Sequence, residues 1–448
     1  MFEKLFGWTK EEKSTKDKNI SNHTQSKILM LGRYSDNNKS VQQLTWWDEA
    51  TKAFEEKKYM DAYRIFFKYL KDEKINNITI QDTSSEIQFE IYQGSKIIRG
   101  TCNEERLHAR GNIARMSINN IAVMRKLLNA NFTLNYTRYA MDSDRILCVI
   151  ADCENKGMNA SKLYYTLKEV ATRCDRQDDI LSNEFSTLVS LDTQHIEPYP
   201  QDILQKKYDW LQQALKDLFI RIDALDMEKD NGAISYAIMS MVFRIDYFIS
   251  PEGKTLEYLE KTTQAYFAND QKTYPEKNKI IMDELRKLQL LSFDEFSKDV
   301  YPSRSTFSFV NPVGFQTCAD SIINSNKNHD WYHKNNFPDT AIQCAEYGFS
   351  YCRYFYSLPQ IVNELYDVFM NVLHTDFYKT LGLDREFYNT STKLFDRESI
   401  LRYVRTVIDQ EKAKYPNIDF AIENIKTDSL LNFAISFSEE VSYLNFGK

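Results

Sequence analysis

Between Glu86 and Tyr92 the chain alternates: Ile87, Phe89 and Ile91 fall on one side, Gln88 and Glu90 on the other. That is the two-residue period of a half-buried strand. Gln93-Gly94-Ser95 supplies a turn, and Ile97-Ile98 begin a return strand, which predicts a hairpin. Gly100 and Gly111 flank Leu107 and Ala109 and give room for bends or bulges. Ser117 is placed to cap a following helix. Its apolar side is Ile118, Ile121, Met124, Leu127 and Leu128, and Asn131 ends it.

From Leu134 to Met141 the alternation returns, with Leu134, Tyr136 and Ala140 on one face. Asp142-Ser143-Asp144 makes a tight polar turn. Ile146-Leu147-Cys148-Val149-Ile150-Ala151 then has no polar side. A run so short and β-branched predicts a strand covered on both faces. Two helices of the module can supply one cover, and the other must come from elsewhere in the chain or from another copy. From Asn159 onward Leu163, Leu167, Val170 and Cys174 recur at helical spacing, continued by Ile180, Leu181, Phe185 and Leu188.

Before this module, Trp46, Ala50 and Phe54, then Tyr59, Ala62 and Phe66, predict a helical hairpin. The two alanines let the helices approach, and the aromatics fill the gap. The residues match a single tetratricopeptide repeat, except that Tyr69 stands where a small residue is preferred. The two tryptophans read as core. Ile78 and Ile80 offer an additional first strand. After the module, His195-Ile196-Glu197-Pro198-Tyr199-Pro200 is a linker. Leu204, Tyr208, Leu211, Leu215, Leu218, Ile222 and Leu225 then form a heptad seam. Asp230-Asn231-Gly232 turns the chain, and Ile234, Ile238, Met241, Ile245 and Phe248 repeat the spacing. This predicts an αα-hairpin, with a coiled-coil dimer as the alternative. Leu256, Leu259 and Phe267 mark a third helix, and Ile281, Leu285, Leu288 and Leu291 a fourth after Pro275. Tyr301–Gly314, with two prolines and no period, reads as a loop or a second boundary. Beyond it the helices are shorter and aromatic, densest at Tyr347–Tyr356, a segment predicted to be largely buried in the fold, with a partner surface as the alternative. Pro338 and Pro359 suit first-turn positions.

The order strand, strand, helix, strand, strand, helix brings a resemblance into view. Ile97-Ile98-Arg99-Gly100, Val123 through Phe132, Arg138-Tyr139-Ala140, and Lys162-Leu163-Tyr164 followed by Asp175 and Asp178-Asp179 carry it. In them the chain resembles the type III secretion chaperone-like fold, in its YbjN-like branch. The resemblance implies a domain that holds another polypeptide, usually as a dimer, without an active site. The long helical extension departs from the small chaperones.

Composition changes this picture little. Few glycines and prolines (12 and 9) favour long helices over a sandwich of short strands. The net charge is −7, with both signs interspersed, which gives no footprint for nucleic acid and no polybasic membrane patch. The start, Met1 to Trp8, has too short an apolar run for a signal peptide, and no membrane insertion is expected. Phe2, Leu5, Phe6 and Trp8 offer at most a short amphipathic anchor. The seven cysteines lie in apolar patterns and read as reduced thiols of a cytoplasmic protein.

The search for chemistry yields no catalytic, cofactor or metal site. His329 and His333 stand four apart, but Asp330 occupies the place of the expected Glu. His108 and His374 are lone histidines. Cys148 and Cys153 are too far apart for a Cys-x-x-Cys pair. Asp175, Asp178 and Asp179, with Arg173 and Arg176 among them, read as a solvated helix face or a junction. No phosphate-cradling loop and no serine elbow occurs.

The expectation is thus an α+β, mostly helical protein with a small mixed sheet and a large C-terminal helical bundle. Its parts are a disordered tail (1–26), a helical hairpin (40–73), the α/β module (75–190), heptad-seamed hairpins (201–298) and an aromatic-rich helical region (313–448). The expected role is non-catalytic, chaperone-like protein binding, with capture beside the sheet or strand addition at an edge such as Ile87 to Tyr92. A homodimer is one arrangement it allows. A scaffold built on the C-terminal half is the alternative, and an enzyme with a site assembled from scattered residues the third.

Overall fold

The helical hairpin forms as α1 (Val41–Glu55) and α2 (Tyr59–Leu70). Ser40 accepts the Gln43 amide while the Gln43 side chain reaches back to the Ser40 amide, a reciprocal cap that starts α1. Ala50 and Ala62 are fully buried between the helices. Trp47 packs on Phe66, Tyr69 and Tyr164, and Trp46 is half-buried. The structure is a computed structural model that describes Leu29 and residues 31–447. The expected tail (1–26) and the apolar anchor at Phe2, Leu5, Phe6 and Trp8 lie outside the described residues.

A seven-stranded sheet follows. Its elements are β1 (Ile78–Asp82), β2 (Ile87–Gln93), β3 (Lys96–Cys102), β4 (Arg106–Met116), α3 (Ile121–Ala130), β5 (Arg138–Met141), β6 (Ile146–Glu154), α4 (Ala160–Glu184) and β7 (Leu188–Ser190). The order across it is β1-β2-β3-β4-β6-β5, with β7 beside the end of β4. Every pairing is antiparallel, so the sheet is not mixed. Short turns join β1 through β4 and join β5 to β6, and tight turns produce antiparallel neighbours. The return strand is in fact two strands, β3 and β4. Ile87–Tyr92 is interior, because β1 pairs along it from Asp82 to Ile78. The strands at the two ends of the order are β1 and β5.

β2 buries Ile87, Phe89 and Ile91 as its alternation requires, and α4 lays Leu163, Leu167, Val170 and Cys174 over the same side of the sheet. Gly100 and Gly111 serve close approach rather than bending. A Cβ at Gly100 would stand 2.2 Å from the Phe89 ring, and one at Gly111 2.7 Å from Cys174 Sγ. The bulge falls one step further on, between Asn112 and Ala114.

Ile146–Ala151 is a strand. Leu147, Val149 and Ala151 are buried on the inner side. On the outer side Cys148 is buried, but among the described residues no helix or second sheet roofs it. Ile146 and Ile150 are half-buried there, and Arg110 is the direct neighbour of Ile150. Arg110 reaches Asn112 (2.7 Å) and Asp142 (2.5 Å), and Arg99 links Glu90 and Asp192, each at 2.9 Å. The aliphatic stems of such arginines shield apolar surface while their heads stay wet.

Three local readings are corrected in the same region. Asn120, not Ser117, caps α3, accepting the amides of Ala122 and Val123. Leu134–Thr137 is not strand: the Glu169 carboxylate takes the amides of Asn135, Tyr136 and Thr137, which no ladder then uses. The inward residue of β5 is Tyr139, while Tyr136 is exposed and Ala140 half-buried.

The second half is helical: α5 (Gln201–Asp223), α6 (Asn231–Ile249), α7 (Gly253–Phe267), α8 (Tyr274–Gln289), α9 (Phe293–Lys298), α10 (Phe315–Asn326), α11 (His329–Lys334), α12 (Pro338–Phe355), α13 (Gln360–Leu373), α14 (Thr375–Leu381), α15 (Arg397–Glu411) and α16 (Leu430–Ser442). Leu204, Leu211, Leu215, Leu218 and Ile222 of the seam are buried. Asn231 and Gly232 already belong to α6, so the turn lies earlier. α6 is apolar all round, long enough and apolar enough to cross a membrane by length and composition, and 83% of its apolar window is buried inside the protein. The aromatic run lies in α12, where Tyr347, Tyr351 and Tyr354 pack on Phe243 of α6. Pro338 occupies the first turn of α12, and Pro359 stands one step earlier than expected, as the cap of α13.

Two segments bind the halves together. In the 301–314 loop, Thr306 and Phe307 donate their amides to the Gln93 side chain, and Phe307 is buried against Tyr164. A strap near the start of the described chain does the rest. Gly32 donates to Tyr247 O, and Arg33 pairs with Asp246 (2.7 Å). Asp36 receives hydrogen bonds from Ser308 (2.7 Å), Ser357 (3.1 Å) and Tyr164. The fold is thus α+β and mostly helical.

Candidate functional site

α3 turns Val123 and Leu127 inward, where both are buried. Residues on one helical side recur every three or four positions. Ile121, Met124 and Leu128 form such a row on the opposite side, and Phe132 continues it in the single 3-10 turn Asn131–Thr133. This row faces solvent: Ile121 is 70% exposed, Leu128 64% and Phe132 92%, and Ile118 before the cap is 71% exposed. A surface helix normally turns polar residues outward. Here Ile118, Ile121, Met124 and Leu128 of the expected apolar side are the outer residues, and Leu127 alone of that set turns inward. With Met124 included, the stripe leaves roughly 600 Å² of apolar surface in water, at the top of the range for the largest patch on a typical monomer.

Side-chain contacts join the stripe to the sheet and to α4. Lys126 pairs with Glu184 and ties α3 to α4. The Asn131 side chain accepts the Tyr139 amide (2.7 Å), which fixes the end of α3 against β5. Glu169 pins the connecting segment from below, also taking the Thr137 hydroxyl at 2.9 Å. β5 pairs with β6 on one side, and no described strand pairs with its other side. Exposed Tyr136 and Met141 flank that edge. Arg125, Arg138 and Arg145 are exposed in the same region, with Asp144 beside Arg145 as the opposing charge. Arg145 donates to Ser117 O (2.7 Å), which places its guanidinium next to Ile118. The arrangement offers apolar anchoring, an open strand edge and a mainly basic rim. The signal for it was legible: Val123 and Leu127 lie on the far side of the helix from Ile121, Leu128 and Phe132, so two apolar rows share one helix.

The other candidates lead elsewhere. His329 and His333 do lie on one helix, α11, but His329 Nδ1 meets Asn326 O at 2.7 Å and its Nε2 meets Asp330 at 3.3 Å. Among the described residues no group of three or more His, Cys, Asp or Glu is arranged to hold a metal ion. His108 lies exposed on β4. His374 is half-buried and meets Glu346 at 3.1 Å. All seven cysteines are free, and only Cys153 is less than buried.

Asp175, Asp178 and Asp179 are a junction, not a solvated face. Asp178 pairs with fully buried Lys96 at 2.7 Å. Asp175 accepts the Ser95 amide (2.9 Å) and hydroxyl (3.2 Å), and its Oδ2 is buried without a partner. Burial, followed by the nearby charge of Glu252, pushes the Asp175 carboxyl well above its usual range. Burial and the Asp175 charge do the same to Asp179. Glu252 itself is pushed up to about 7 by burial, against the pull of Arg33. Asp175, Asp179 and Glu252 lie where α4 meets α7, and burial there disfavours their charged forms.

A comparison with protein-family models finds no match for the chain, and a comparison with curated proteins finds none either.

Proposed function

We propose that this chain is a non-catalytic protein-binding protein that holds a partner polypeptide against α3 and the β5 edge. The observation that carries the reading is the solvent-facing stripe Ile118, Ile121, Met124, Leu128 and Phe132, rimmed by arginines. The occupant is a segment with apolar anchors and acidic flanks, since Arg125 has no ion pair among the described residues and charge complementarity fixes orientation on a surface of this kind. Strand addition is available at β5 and β1, not at β2. The order of strands and helices around α3 supports kinship with the secretion-chaperone-like, YbjN-like domains, and the seven free thiols support a reducing, cytoplasmic setting. A second copy of the chain is the other occupant of weight, because a solvent-facing apolar row can pack on its own copy across a two-fold axis.

The test is a photocrosslinking residue placed at Met124 in native cells, with one at exposed Ile220 of α5 as control. A polypeptide captured at 124 and not at 220 is expected. Capture of the chain itself at 124 would make the stripe a dimer interface. Equal capture at both positions, or none at either, would overturn the reading.

A further inference from the structure

Helices α10 and α12 pack antiparallel, and three rungs give their register. Ser325 donates its hydroxyl to Cys344 O at 2.6 Å. One turn along, a Cβ built on Gly348 would stand 3.1 Å from Ile322 Cα and 3.2 Å from Ser321 O, so the backbones there leave no room for a side chain. Glycine is what allows so close an approach. One turn further, Cys352 lies opposite Cys318. Its thiol reaches Cys318 O at 3.5 Å and meets the Cys318 thiol directly. Cys318, Ala319, Cys344, Gly348 and Cys352 are all buried along this seam.

A disulfide needs Cα atoms roughly 4.4–6.8 Å apart and Cβ vectors that point at each other. The glycine crossing one turn away draws the backbones of 318 and 352 together, and the two thiols already touch. Cys102 and Cys153, by contrast, stand on β3 and β6 with Leu107 of β4 between them. The hydrogen bond with Cys318, followed by burial, pushes the Cys352 thiol well above its usual range. The thiolate is the reactive form, so the pair answers sustained oxidant and not a brief pulse.

We propose that Cys318 and Cys352 are a latent disulfide, which a small peroxide closes to fasten α10 to α12. One cysteine, as thiolate, attacks a peroxide oxygen; the O–O bond breaks, a sulfenic acid forms and the released hydroxide takes up a proton to leave as water. The second thiol gives up its proton and attacks the sulfenic sulfur; the S–O bond breaks, the S–S bond forms and a second water leaves. Two thiols thus lose two electrons and two protons, and one hydrogen peroxide becomes two waters. The bridge is independent of the α3 surface and stands or falls separately from it.

The experiment exposes the full folded chain to millimolar hydrogen peroxide for hours, blocks the remaining thiols after unfolding, and maps peptides without reduction. A peptide pair joined through Cys318 and Cys352 is expected. Closing this 34-residue span should raise the melting temperature by roughly 5 °C, an effect that dithiothreitol reverses. Cys318→Ala should abolish both the linked pair and the rise, and Cys153→Ala, which removes the one cysteine that is not buried, should keep both. The wild-type map decides the matter even where Cys318→Ala fails to fold. A bridge of different pairing, a sulfinic acid at Cys318 or Cys352 in place of the link, both thiols intact after Cys153 has been oxidised, or a melting temperature unmoved by the bridge would each overturn the proposal.

Discussion

α6 and α3 both carry apolar residues on more than one side, and the fold treats them differently. Around α6 the neighbours close almost everywhere, leaving Asn231, Gly232, Tyr236 and Arg244 half-buried: Ile234, Ile238, Val242, Ile245 and Phe248 are buried, and so are Met239, Phe243 and Tyr247 on other sides. Helices α5, α8 and α12 supply the cover. Around α3 the cover is one-sided. Val123 and Leu127 find the module's core, while Ile121, Leu128 and Phe132 meet no described neighbour that buries them. Apolar content on all sides therefore says only that a helix needs more than one cover. Whether the chain provides the covers itself separates a core element from a contact surface.

The difference can be broken at its strongest point first. Phe248→Ala in α6 removes a ring stacked 4.3 Å from Phe377, and should cost about 3–5 kcal/mol in urea unfolding. A loss below about 1 kcal/mol would mean that α6 is not the core it looks. Glu346→Gln strips the charge from the buried partner of α6's Arg244 and should cost about 3 kcal/mol at neutral pH. Burial opposes the Glu346 charge, yet Arg244 and His374 outweigh it and hold the carboxyl well below its usual range. A depressed folded value stabilises above the unfolded value and is lost as pH falls. The gap between wild type and variant should therefore shrink below about pH 4. A gap constant down to acid pH would contradict the pairing.

Just past the end of α6, Glu252 has the opposite sign. Burial pushes it up to about 7, so its contribution is greatest below the unfolded value and is lost as pH rises through 7. Wild-type stability should fall by on the order of 1–3 kcal/mol between about pH 5 and about pH 8, and Glu252→Gln should flatten part of that slope. Identical slopes would show that the junction is wet. The smallest effect belongs to α3: Leu128→Ser with Phe132→Ser should leave stability within about 0.5 kcal/mol, with the melting temperature as readout, while abolishing capture at position 124. A large drop in melting temperature would make the stripe core and erase its contrast with α6.

Periodicity was a good guide to which residues share a side and a poor one to where that side points. The alternation at Ile87, Phe89 and Ile91 is buried as read, and Leu204 through Ile222 form a buried seam. Ile146–Ala151 is the strand its composition implies. Yet the same kind of reasoning placed Ile121 and Leu128 on the inward side of α3, because their spacing is equally good for either side. β5 was misphased because the Glu169 carboxylate, 32 to 34 residues away, holds the backbone amides of Asn135 to Thr137. The dryness of Asp175 and Asp179 likewise depends on α7 and Glu252, which no local pattern announces. The meeting of Cys318 and Cys352 joins two helices across 34 residues, so nothing in either one marked it.

The strap at Gly32–Asp36 carries a consequence for how the molecule is made. Asp36 bonds Tyr164, Ser308 and Ser357, partners up to 321 residues downstream. Tyr164 and Lys168 are made early, but a ribosome delivers Ser357 only after most of the chain, so the set around this carboxylate stays incomplete through most of synthesis. Contacts of such long sequence separation form late and slow folding. The early-made strap is thereby a clasp fastened last, and a chain halted before residue 357 would leave it open.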